Sequence, residues 1–488
     1  MDKTSSFLSD LTDLTALAYR RERIAHWDAI ARKRDAWRGW GGAYHRRLAE
    51  IYRFLISPGR RVLEIGCGTG ELLAAIQPSY GVGVDFSAEM VQRALQHHPG
   101  LQFILADAHD LSSLEGPFDY IIFSDIVNDA WDVQVVLEQV KRLCKPRTRL
   151  VINHFSNFWE IPLTLASRLG LATPLLDQNW LTTQDVTGML SLSGFEVIRT
   201  WKEMLWPLPL PLLDRFFNRF LVRFWPFNSM ALSNFIVART LAEECQGQPS
   251  VSVVVPARNE AGNIRAIFER LPQIGRETEL IFVEGHSRDD TYAVIEREMA
   301  AHPATRSLLL RQTGTSKADA VRLGFEHARG DILMVLDADL TVPPEDLPRF
   351  YEALRSGKGD FINGVRLVYP MEGQAMRWLN MLGNKFFSLA FSWLLGQPIK
   401  DTLCGSKALW RSDYELLAAN RSYFGFGEFD PFGDFDLLFG AAKLDLKIVD
   451  LPIRYRERTY GKSNIQRWKH GWLLLKMTWF AAVRLKFI

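Results

Sequence analysis

Acidic side chains follow two apolar runs in the C-terminal half of the chain, where buried strands are expected to end. In "ILMVLDADL" five apolar residues lead into Asp337 and Asp339, and Glu284 closes the run "ELIFVE". Like charges at one sheet edge need a compensating cation, and hard oxygen ligands favour Mg²⁺ or Mn²⁺. The pattern predicts a divalent metal at Asp337 and Asp339, shared with substrate phosphates. The alternative is a solvated turn that caps the helix beginning in "PPEDL".

Two further stretches add polar residues to the same predicted sheet edge. "VVVPARNE" places Pro256, Asn259 and Glu260 after a strand, and "KADAVRLGF" places Lys317 near a helix start. A cation at the start of a helix is a reasonable phosphate contact. The C-terminal half is therefore expected to bind a phosphorylated ligand.

A glycine-rich turn in the N-terminal half, "VLEIGCGTGELL", predicts a strand, a tight turn and a helix start. Gly66, Gly68 and Gly70 allow the backbone to approach a ligand closely. A dinucleotide-binding fingerprint would carry a further glycine where this chain has Glu71. Glu64, inside the strand, would disfavour a pyrophosphate and suit a cationic sulfonium ligand that bears an amino group.

Acidic residues also end the next two predicted strands of the N-terminal half. Asp85 ends "GVGVD", nineteen residues after Gly66, where a carboxylate can hold a pair of ribose hydroxyls. Asp107 ends "LQFILAD", where it can accept a hydrogen bond from an adenine amine.

Strand-like and helical stretches alternate in two rounds, which predicts two α/β domains with doubly wound, largely parallel sheets. Two segments of the first round, "GFEVIRTW" and "NFIVARTL", read as an antiparallel pair that closes its sheet. The periodicity is lost around residues 239–250. We predict a first domain over residues 1–240 with a helical lead-in at 1–40, a linker at 241–249 and a second domain over 250–488.

The first half, over about residues 40–240, resembles class I S-adenosylmethionine-dependent methyltransferases through "LEIGCGTG", "GVDFS", "ADAHDL" and "FDYIIFSDIVND". The resemblance implies a Rossmann-like fold and S-adenosylmethionine as cofactor. The residues it implies for cofactor binding are Glu64, Gly66, Gly68 and Gly70 at the methionine end, Asp85 at the ribose, Asp107 and Ala108 at the adenine, and Ser124 with Asp125 facing the sulfonium.

The methyl acceptor of this half is not identified by any motif. His154 follows the fifth predicted strand and is either a general base or a hydrogen-bonded structural histidine. The Pro- and aromatic-rich segment Leu205–Met230 either covers the acceptor or packs in a core.

The second half, over about residues 250–470, resembles family 2 glycosyltransferases of the GT-A fold through "PARNE", "VEGHSRDD", "KADAVRLGF", "LDADL", "NGVR", "DTLCGSKALWR" and "RYRERTYGKSN". It looks most like the polyprenyl-phosphate branch, which includes dolichol-phosphate mannose synthases. The resemblance implies an Asp-x-Asp metal site at Asp337 and Asp339, an acceptor base at Asp434 or Asp436, and nucleotide-sugar contacts from Pro256, Asn259, Glu260, Glu284, Lys317, Asp337, Arg366, Arg454 and Ser463.

Composition limits the class of protein further. The net charge of the 488-residue chain is +2, which gives no reason to expect nucleic acid as a partner. Its four cysteines are scattered, which indicates a reducing compartment, and the N-terminus lacks the pattern of a signal peptide. We therefore expect a cytoplasmic protein.

Two semi-apolar stretches, Trp378–Gly396 and Trp472–Ile488, are interrupted by polar or charged residues and are too broken for spanning helices. Each is either a buried core helix or a helix lying on a bilayer. The region Arg454–Ile488 contains nine Lys and Arg residues and one acid, Glu457, which favours an anionic membrane surface or phosphate. We expect peripheral association with the cytoplasmic face of a membrane.

The sequence thus predicts a bifunctional enzyme with two activities. One transfers a methyl group from S-adenosylmethionine to an unknown acceptor. The other transfers one sugar from a nucleotide-sugar, with a metal, to a polyprenyl phosphate or another lipid acceptor at the membrane surface. Two alternatives remain: a glycosyltransferase with a non-catalytic S-adenosylmethionine-binding module, and a membrane-associated scaffold with degenerate enzyme folds.

Overall fold

The chain folds into two compact units, which span Met1–Leu241 and Ala242–Phe487 in a computed structural model. The structure describes residues 3–33, 40–170, 172–208, 210–241, 244–366, 368, 378–420, 433–458, 460 and 467–487.

The N-terminal unit alternates helices and strands. Its helices are α1 (Lys3–Lys33), α2 (Trp40–Leu55), α3 (Glu71–Ile76), α4 (Ala88–His97), α5 (Val133–Lys141), α6 (Glu160–Arg168), α7 (Thr183–Leu192) and α8 (Pro211–Arg215). Its strands are β1 (Arg61–Ile65), β2 (Tyr80–Asp85), β3 (Gln102–Leu105), β4 (Tyr120–Ser124), β5 (Arg149–Phe155), β6 (Phe195–Glu203) and β7 (Ser233–Thr240).

These strands form a seven-stranded sheet in the order β3-β2-β1-β4-β5-β7-β6. Strands β1 to β5 are parallel to one another, and β7 runs antiparallel to both β5 and β6. The antiparallel pair expected at this end of the sheet is confirmed. The central strands carry apolar side chains on both faces because helices cover both sides, as parallel sheets require.

The C-terminal unit has the same alternating organisation. Its helices are α9 (Ala261–Arg270), α10 (Thr291–Ala301), α11 (Lys317–His327), α12 (Leu347–Arg355), α13 (Trp378–Leu395), α14 (Arg411–Ala419), α15 (Asp434–Lys443) and α16 (Arg467–Ala481). Its strands are β8 (Val251–Ala257), β9 (Thr278–Glu284), β10 (Arg306–Arg311), β11 (Ile332–Val335), β12 (Phe361–Val365), β13 (Lys407–Trp410) and β14 (Ile448–Pro452).

The second sheet has the order β10-β9-β8-β11-β13-β12-β14. Strand β13 is antiparallel to β11 and β12, whereas the other neighbouring pairs are parallel. The expected two-domain α/β fold is confirmed, with both sheets mixed rather than wholly parallel. The carboxyl ends of β8, β9 and β11 lie at one edge, which brings Glu284 and the residues after β11 to the same side of the unit. Among the described residues, no helix combines the length and hydrophobicity needed to cross a bilayer.

Candidate active sites

The glycine-rich turn of the N-terminal unit joins β1 to α3 and leaves open space for a ligand. Gly66 and Cys67 both donate backbone hydrogen bonds to the carbonyl of Val84, which ties the turn to β2. Gly68 has a φ of +52°, and a Cβ atom placed there would meet no heavy atom within 4 Å. Gly68 therefore presents left-handed backbone to open space, whereas a Cβ atom at Gly66 would lie 3.1 Å from Ile126 and one at Gly70 would lie 2.5 Å from Phe103.

Glu64 is a buried carboxyl group just before this turn. Its side chain is 2% exposed, and its Oε2 atom has no hydrogen-bond partner among the described residues. Burial raises the pKa of Glu64 well above its usual value, and the neighbouring Asp85 raises it further. The Leu73 amide opposes this rise by donating a hydrogen bond to the carboxyl group. The buried Oε2 atom is left unsatisfied, which is destabilising unless a ligand pairs with it, so Glu64 suits a ligand with a cationic amino group.

Asp85 lies at the end of β2 and faces the same turn. Its carboxylate accepts hydrogen bonds from the amides of Gly68 and Ser87, each at 2.9 Å. Burial nevertheless raises the pKa of Asp85 to about 6. Asp85 therefore holds the glycine-rich turn in place. It also lies where a carboxylate can reach the hydroxyl groups of a ligand.

Asp107 follows β3 and is engaged by two basic residues. Its carboxylate contacts His109 Nδ1 at 2.6 Å and Arg20 Nε at 2.6 Å. Burial opposes ionisation, but the hydrogen bonds from His109 and the charges of His109 and Arg20 keep the pKa of Asp107 below its usual value. The neighbouring Ala108 is buried.

A hydrogen-bond network that the sequence did not indicate surrounds the end of β4. Ser124 is the last residue of the strand, and Asp125 follows it with a φ of +60°. The Asp125 carboxylate accepts from the Tyr44 hydroxyl at 2.8 and 2.9 Å and from Asn153 Nδ2 at 2.7 Å. Tyr52 donates to Asn153 Oδ1 at 2.7 Å. Burial raises the pKa of Asp125 to about 7 despite these donors.

Tyr44 and Tyr52 belong to α2, whereas Asp125 and Asn153 belong to adjacent strand ends. More than one hundred residues separate some of these partners in the chain, so no local motif could reveal them. A left-handed aspartate at a strand end is a strained conformation that concentrates at functional sites.

His154 lies on β5 and is fully buried. Its Nδ1 atom lies 3.1 Å from the carbonyl oxygen of Phe155, and its Nε2 atom has no partner among the described residues. Burial lowers the pKa of His154 to about 4, which keeps the ring neutral. These features favour the structural interpretation of His154, because a general base must reach its substrate.

Helix α1 lies along the carboxyl edge of this sheet. Besides the ion pair of Arg20 with Asp107, Arg23 Nε lies 2.8 Å from Asp129 Oδ1. The Trp27 indole donates to Asp129 Oδ2 at 2.7 Å, and the Ser87 hydroxyl donates to Asp28 at 2.5 Å. The predicted helical lead-in is thus attached to the loops that follow β2, β3 and β4.

In the C-terminal unit, the end of β8 and the loop that follows it contain three of the predicted nucleotide-sugar residues. Pro256 is half-buried near the end of the strand. Asn259 has a φ of +59°, accepts from the Arg288 amide through Oδ1 at 2.7 Å and donates its own amide to the Ser287 hydroxyl. Glu260 begins α9 and accepts from Asn263 at 2.8 Å.

Glu284 ends β9 and accepts a hydrogen bond from the Ser287 amide at 2.5 Å. The sequence predicted that Glu284 lies at the same sheet edge as Asp337 and Asp339, the two residues expected to bind a metal. Within the described parts of the chain, however, no three His, Cys, Asp or Glu side chains are placed to hold a metal ion together. Glu284 instead orders the turn after β9, and the two aspartates after β11 have other partners.

Asp337 forms an ion pair with Lys317, the first residue of α11, with 2.5 Å between Asp337 Oδ1 and Lys317 Nζ. Burial opposes charge on both groups, but their mutual attraction raises the pKa of Lys317 and lowers that of Asp337. Gly405 lies against this pair. A Cβ atom there would come within 2.2 Å of Asp337 Oδ2 and 2.4 Å of Lys317 Nζ.

Asp339 has a different cationic partner, Arg458. Its Oδ2 atom lies 2.5 Å from Arg458 Nη2, and its Oδ1 atom accepts from the Thr341 hydroxyl at 2.7 Å. Arg458 also lies 3.5 Å from Glu260 Oε1. Burial raises the pKa of Glu260 to about 7, with Asp339 and Asp337 adding to the rise and Arg458 opposing it. These contacts join the loops after β8, β11 and β14.

The two candidate acceptor bases lie on α15 and face different cations. Asp434 is buried at the start of the helix, 3.7 Å from the Lys407 ammonium. Burial raises the pKa of Asp434, with Lys407 and Lys317 opposing that rise and Asp337 adding to it. Asp436 lies 3.3 Å from Arg322 of α11. Asp434 therefore belongs to the same charged cluster as Asp337 and Lys317.

The remaining predicted phosphate contacts, Arg366, Arg454 and Ser463, differ in their surroundings. Arg366 makes a two-point ion pair with buried Asp401, at 2.7 Å through Nε and 2.9 Å through Nη2. Arg454 is exposed after β14. Ser463 lies outside the described residues. Asp401 and Gly405 were contained in the motif "DTLCGSKALWR", but their partners become visible only in the folded chain.

Both units match families of known proteins. Residues 252–415 match the family model described as glycosyl transferase family 2, and residues 56–189 match one described as a methyltransferase domain. The chain thus joins a methyltransferase domain to a family 2 glycosyltransferase domain.

Among known proteins, the chain is similar to the undecaprenyl-phosphate 4-deoxy-4-formamido-L-arabinose transferase of Edwardsiella ictaluri. The two are 26% identical over 220 residues, which cover 44% of this chain and 62% of that one. It is also similar to the low-salt glycan biosynthesis hexosyltransferase of Haloferax volcanii, with 26% identity over 46% of this chain and 52% of that one. The chain thus spans little more than half the length of these relatives.

Among solved structures, a methyltransferase from Mesorhizobium loti described as S-adenosylmethionine-dependent aligns with 19% identity and a TM-score of 0.32. The alignment covers 41% of this chain and 100% of that chain.

Proposed function

We propose that the chain is a bifunctional transferase, in which the N-terminal unit transfers a methyl group and the C-terminal unit transfers one sugar to a polyprenyl phosphate. The observation that carries the proposal is the contrast between the two sheet edges. The first places the unsatisfied, buried Oε2 atom of Glu64 just before a glycine-rich turn in which Gly68 faces open space. The second alternates carboxylates with Lys317 and Arg458, which suits an anionic ligand.

In the N-terminal unit, Glu64 would pair with the amino group of S-adenosylmethionine, and the backbone of Gly66, Gly68 and Gly70 would lie along its methionine end. Asp85 would hold the ribose, and Asp107 with Ala108 would border the adenine. Ser124 and Asp125 would face the sulfonium, on the side from which the acceptor approaches. The bound cofactor would supply an electrophilic methyl group, and the chain's own contribution is to hold that group next to the acceptor.

In the C-terminal unit, Pro256, Asn259, Glu260 and Glu284 would bind the nucleotide, and Lys317 and Arg454 would contact phosphate. Asp337 and Asp339 would hold Mg²⁺ or Mn²⁺, since Mg²⁺ usually takes one or two carboxylates together with substrate phosphates. The metal would neutralise the charge of the diphosphate leaving group. Asp434, near Lys407, is the better placed of the two acceptor-base candidates because it shares the cluster of Asp337.

We also propose that the C-terminal unit associates with the surface of an anionic membrane. Helix α16 buries Leu474, Met477 and Ala481 and exposes Trp472 and Trp479 at 63% and 68%. Its neighbour α13 likewise exposes Leu382, Phe386 and Leu389. Exposed aromatic and aliphatic residues near Lys476 are typical of a helix lying in a bilayer interface.

The sugar-transfer proposal is tested with purified protein, labelled nucleotide-sugars and a polyprenyl phosphate, with Mg²⁺, Mn²⁺ or a chelator. We expect a metal-dependent lipid product with at least one donor. Asp337→Asn and Asp339→Asn should abolish it, whereas Glu326→Gln, an exposed acid on α11, should leave it unchanged. Absence of a lipid product with every donor would sink this half of the proposal.

The methyl-transfer proposal is tested by calorimetry with S-adenosylmethionine, followed by turnover of labelled methyl donor. Binding that weakens in Glu64→Gln, together with turnover, supports an active enzyme. Binding without turnover on any acceptor would favour the non-catalytic module instead.

A further inference from the structure

Two segments of the N-terminal unit expose many large apolar side chains. The apolar edge surface, as we call it, consists of the described residues of 157–169 and 205–230. Ile161, Leu212 and Trp225 are 79%, 85% and 83% exposed, and Leu169, Phe216 and Phe224 are also exposed. Continuous exposed patches of this kind usually mark interaction sites.

The two segments of this surface are joined to each other by hydrogen bonds. The Trp159 indole donates to the carbonyl of Met230 at 2.8 Å, and the Ser156 amide donates to the carbonyl of Leu232 at 2.8 Å. The Leu232 amide in turn donates to Met204 at 2.7 Å. The surface is therefore one structure rather than two unrelated loops.

The sheet topology places this surface at the carboxyl edge. Its first segment follows Phe155, the end of β5, and its second connects the end of β6 to Ser233, the start of β7. Phe155 and Glu203 both pair with Ser233, so both segments leave the sheet at one place. The Tyr44 ring lies 5.6 Å from that of Phe155, and its hydroxyl binds Asp125. Contacts thus run from the apolar edge surface to the end of β4.

The charges of this surface favour lipid as the occupant. Arg168, Arg215 and Arg219 are exposed among its Leu, Phe and Trp residues. The acids in its described part are Glu160 and Asp214, and the Asp214 carboxylate accepts a hydrogen bond from Asn218. Exposed Trp and Phe next to arginine match the boundary between acyl chains and anionic headgroups.

We propose that the apolar edge surface rests on an anionic lipid bilayer and that the methyl acceptor is the head of an amphiphile that reaches Asp125 from that bilayer. The first part of this proposal, docking on the bilayer, depends only on the apolar edge surface. The second part, the amphiphilic acceptor, also rests on the proposed methyl transfer.

Hydrogen exchange of the full chain tests the docking part, with vesicles of phosphatidylethanolamine, with vesicles that also contain phosphatidylglycerol, and without vesicles. We expect slower exchange over 157–169 and 205–230 only with phosphatidylglycerol. The effect should persist in a Trp472→Ser/Trp479→Ser variant, which weakens the other proposed membrane contact. It should shrink several-fold in Leu212→Ser/Trp225→Ser but not in Leu192→Ser, a 75% exposed residue of α7.

Three results would overturn docking on anionic lipid. The first is protection from exchange confined to α13 and α16, and the second is equal protection by neutral vesicles. The third is protection without vesicles that grows with protein concentration, which would indicate that a second copy of the chain covers the surface.

The acceptor part is tested with labelled S-adenosylmethionine and either a membrane lipid extract or a water-soluble metabolite extract. We expect label in the lipid products, several-fold reduced in Leu212→Ser/Trp225→Ser and unchanged in Leu192→Ser. Label only in water-soluble products would overturn the amphiphilic acceptor while leaving methyl transfer intact. No label in any product would instead sink the proposed methyltransferase function, and the exchange result would still decide the docking.

Discussion

At the scale of single residues, Glu64 in the N-terminal site differs from Asp337 and Asp339 in the C-terminal site in its partners. Glu64 is buried with its Oε2 atom unsatisfied, and burial raises its pKa. Asp337 and Asp339 instead face Lys317 and Arg458, and the Lys317 charge lowers the pKa of Asp337. A buried carboxylate that is paired stays ionised and can hold a cation, whereas an unpaired one awaits a positively charged ligand.

Gly405→Ala should disrupt the C-terminal site directly. The added Cβ atom would lie 2.2 Å from Asp337 Oδ2, so the Lys317–Asp337 pair must separate or shift. We expect at least a tenfold loss of sugar transfer, which corresponds to about 1.4 kcal/mol, with secondary structure retained by circular dichroism. Gly383→Ala, where a Cβ atom would meet nothing within 4 Å, is the matched control. Equal activities of the two variants would contradict this placement.

Asp125 should make the stability of the N-terminal unit depend on pH. Burial raises its pKa to about 7 in the folded chain, whereas an unfolded aspartate has a pKa of about 3.9. Between these values the folded state binds a proton that the unfolded state releases, so the free energy of unfolding falls as pH rises from about 4 to 7. After discounting for partial exposure, the loss should be on the order of 1–3 kcal/mol.

Asp125→Asn cannot titrate and should lack this component. Thermal unfolding of the unit is monitored at several pH values by hydrogen-exchange mass spectrometry of β4 and β5 peptides. The free energy of unfolding of the wild type, measured relative to that of the variant, should fall as pH rises. Parallel pH profiles for the two proteins would show that Asp125 does not carry the effect.

At the scale of elements, helix α1 joins three loops of the N-terminal unit. Its Arg20, Arg23 and Asp28 contact Asp107, Asp129 and Ser87, which follow β3, β4 and β2 respectively. Because those loops carry the proposed adenosine contacts, α1 acts as a positioning element for them rather than as a separate arm.

Arg20→Ala/Arg23→Ala should loosen α1. We expect faster hydrogen exchange over residues 14–33 and a several-fold weaker S-adenosylmethionine affinity by calorimetry, because the Asp107 and Asp129 loops lose their restraint. Arg32→Ala, which removes an exposed ion pair with Glu89, should change neither quantity. Faster exchange with unchanged affinity would separate α1 from cofactor binding.

At the scale of the whole molecule, each unit has its own sheet and its own hydrophobic core. Each unit therefore has the structural means to fold around its own site. Both also expose apolar residues on helices or helical turns, at α13 and α16 in one and at the apolar edge surface in the other.

Trp472→Ser/Trp479→Ser should reduce co-sedimentation of the full chain with phosphatidylglycerol vesicles several-fold, since it removes two large exposed apolar side chains from α16. Leu105→Ser, which changes a 56% exposed residue on β3, is the control. Sugar transfer to a short, water-soluble acceptor analogue should survive in both variants. Unchanged sedimentation of the Trp variant would remove α16 from the membrane contact.

The sequence by itself determined the two-domain α/β organisation, because short apolar runs typical of strands alternate along the chain with segments of helical periodicity. It also determined where the acidic strand ends and the glycine-rich turn lie, since both are short motifs. The family resemblance then assigned a methyltransferase and a glycosyltransferase domain, and both are confirmed by the family matches.

Only the tertiary structure decided which charges meet. Asp339 meets Arg458 across 119 residues, and Asp107 meets Arg20 across 87, so neither pair leaves a local signal. For the same reason, the sequence showed that Asp337 and Asp339 need a compensating cation but not that Lys317 and Arg458 lie against them. The burial of the Glu64 carboxyl group and of the His154 ring is likewise a property of the packed sheet rather than of any stretch of sequence.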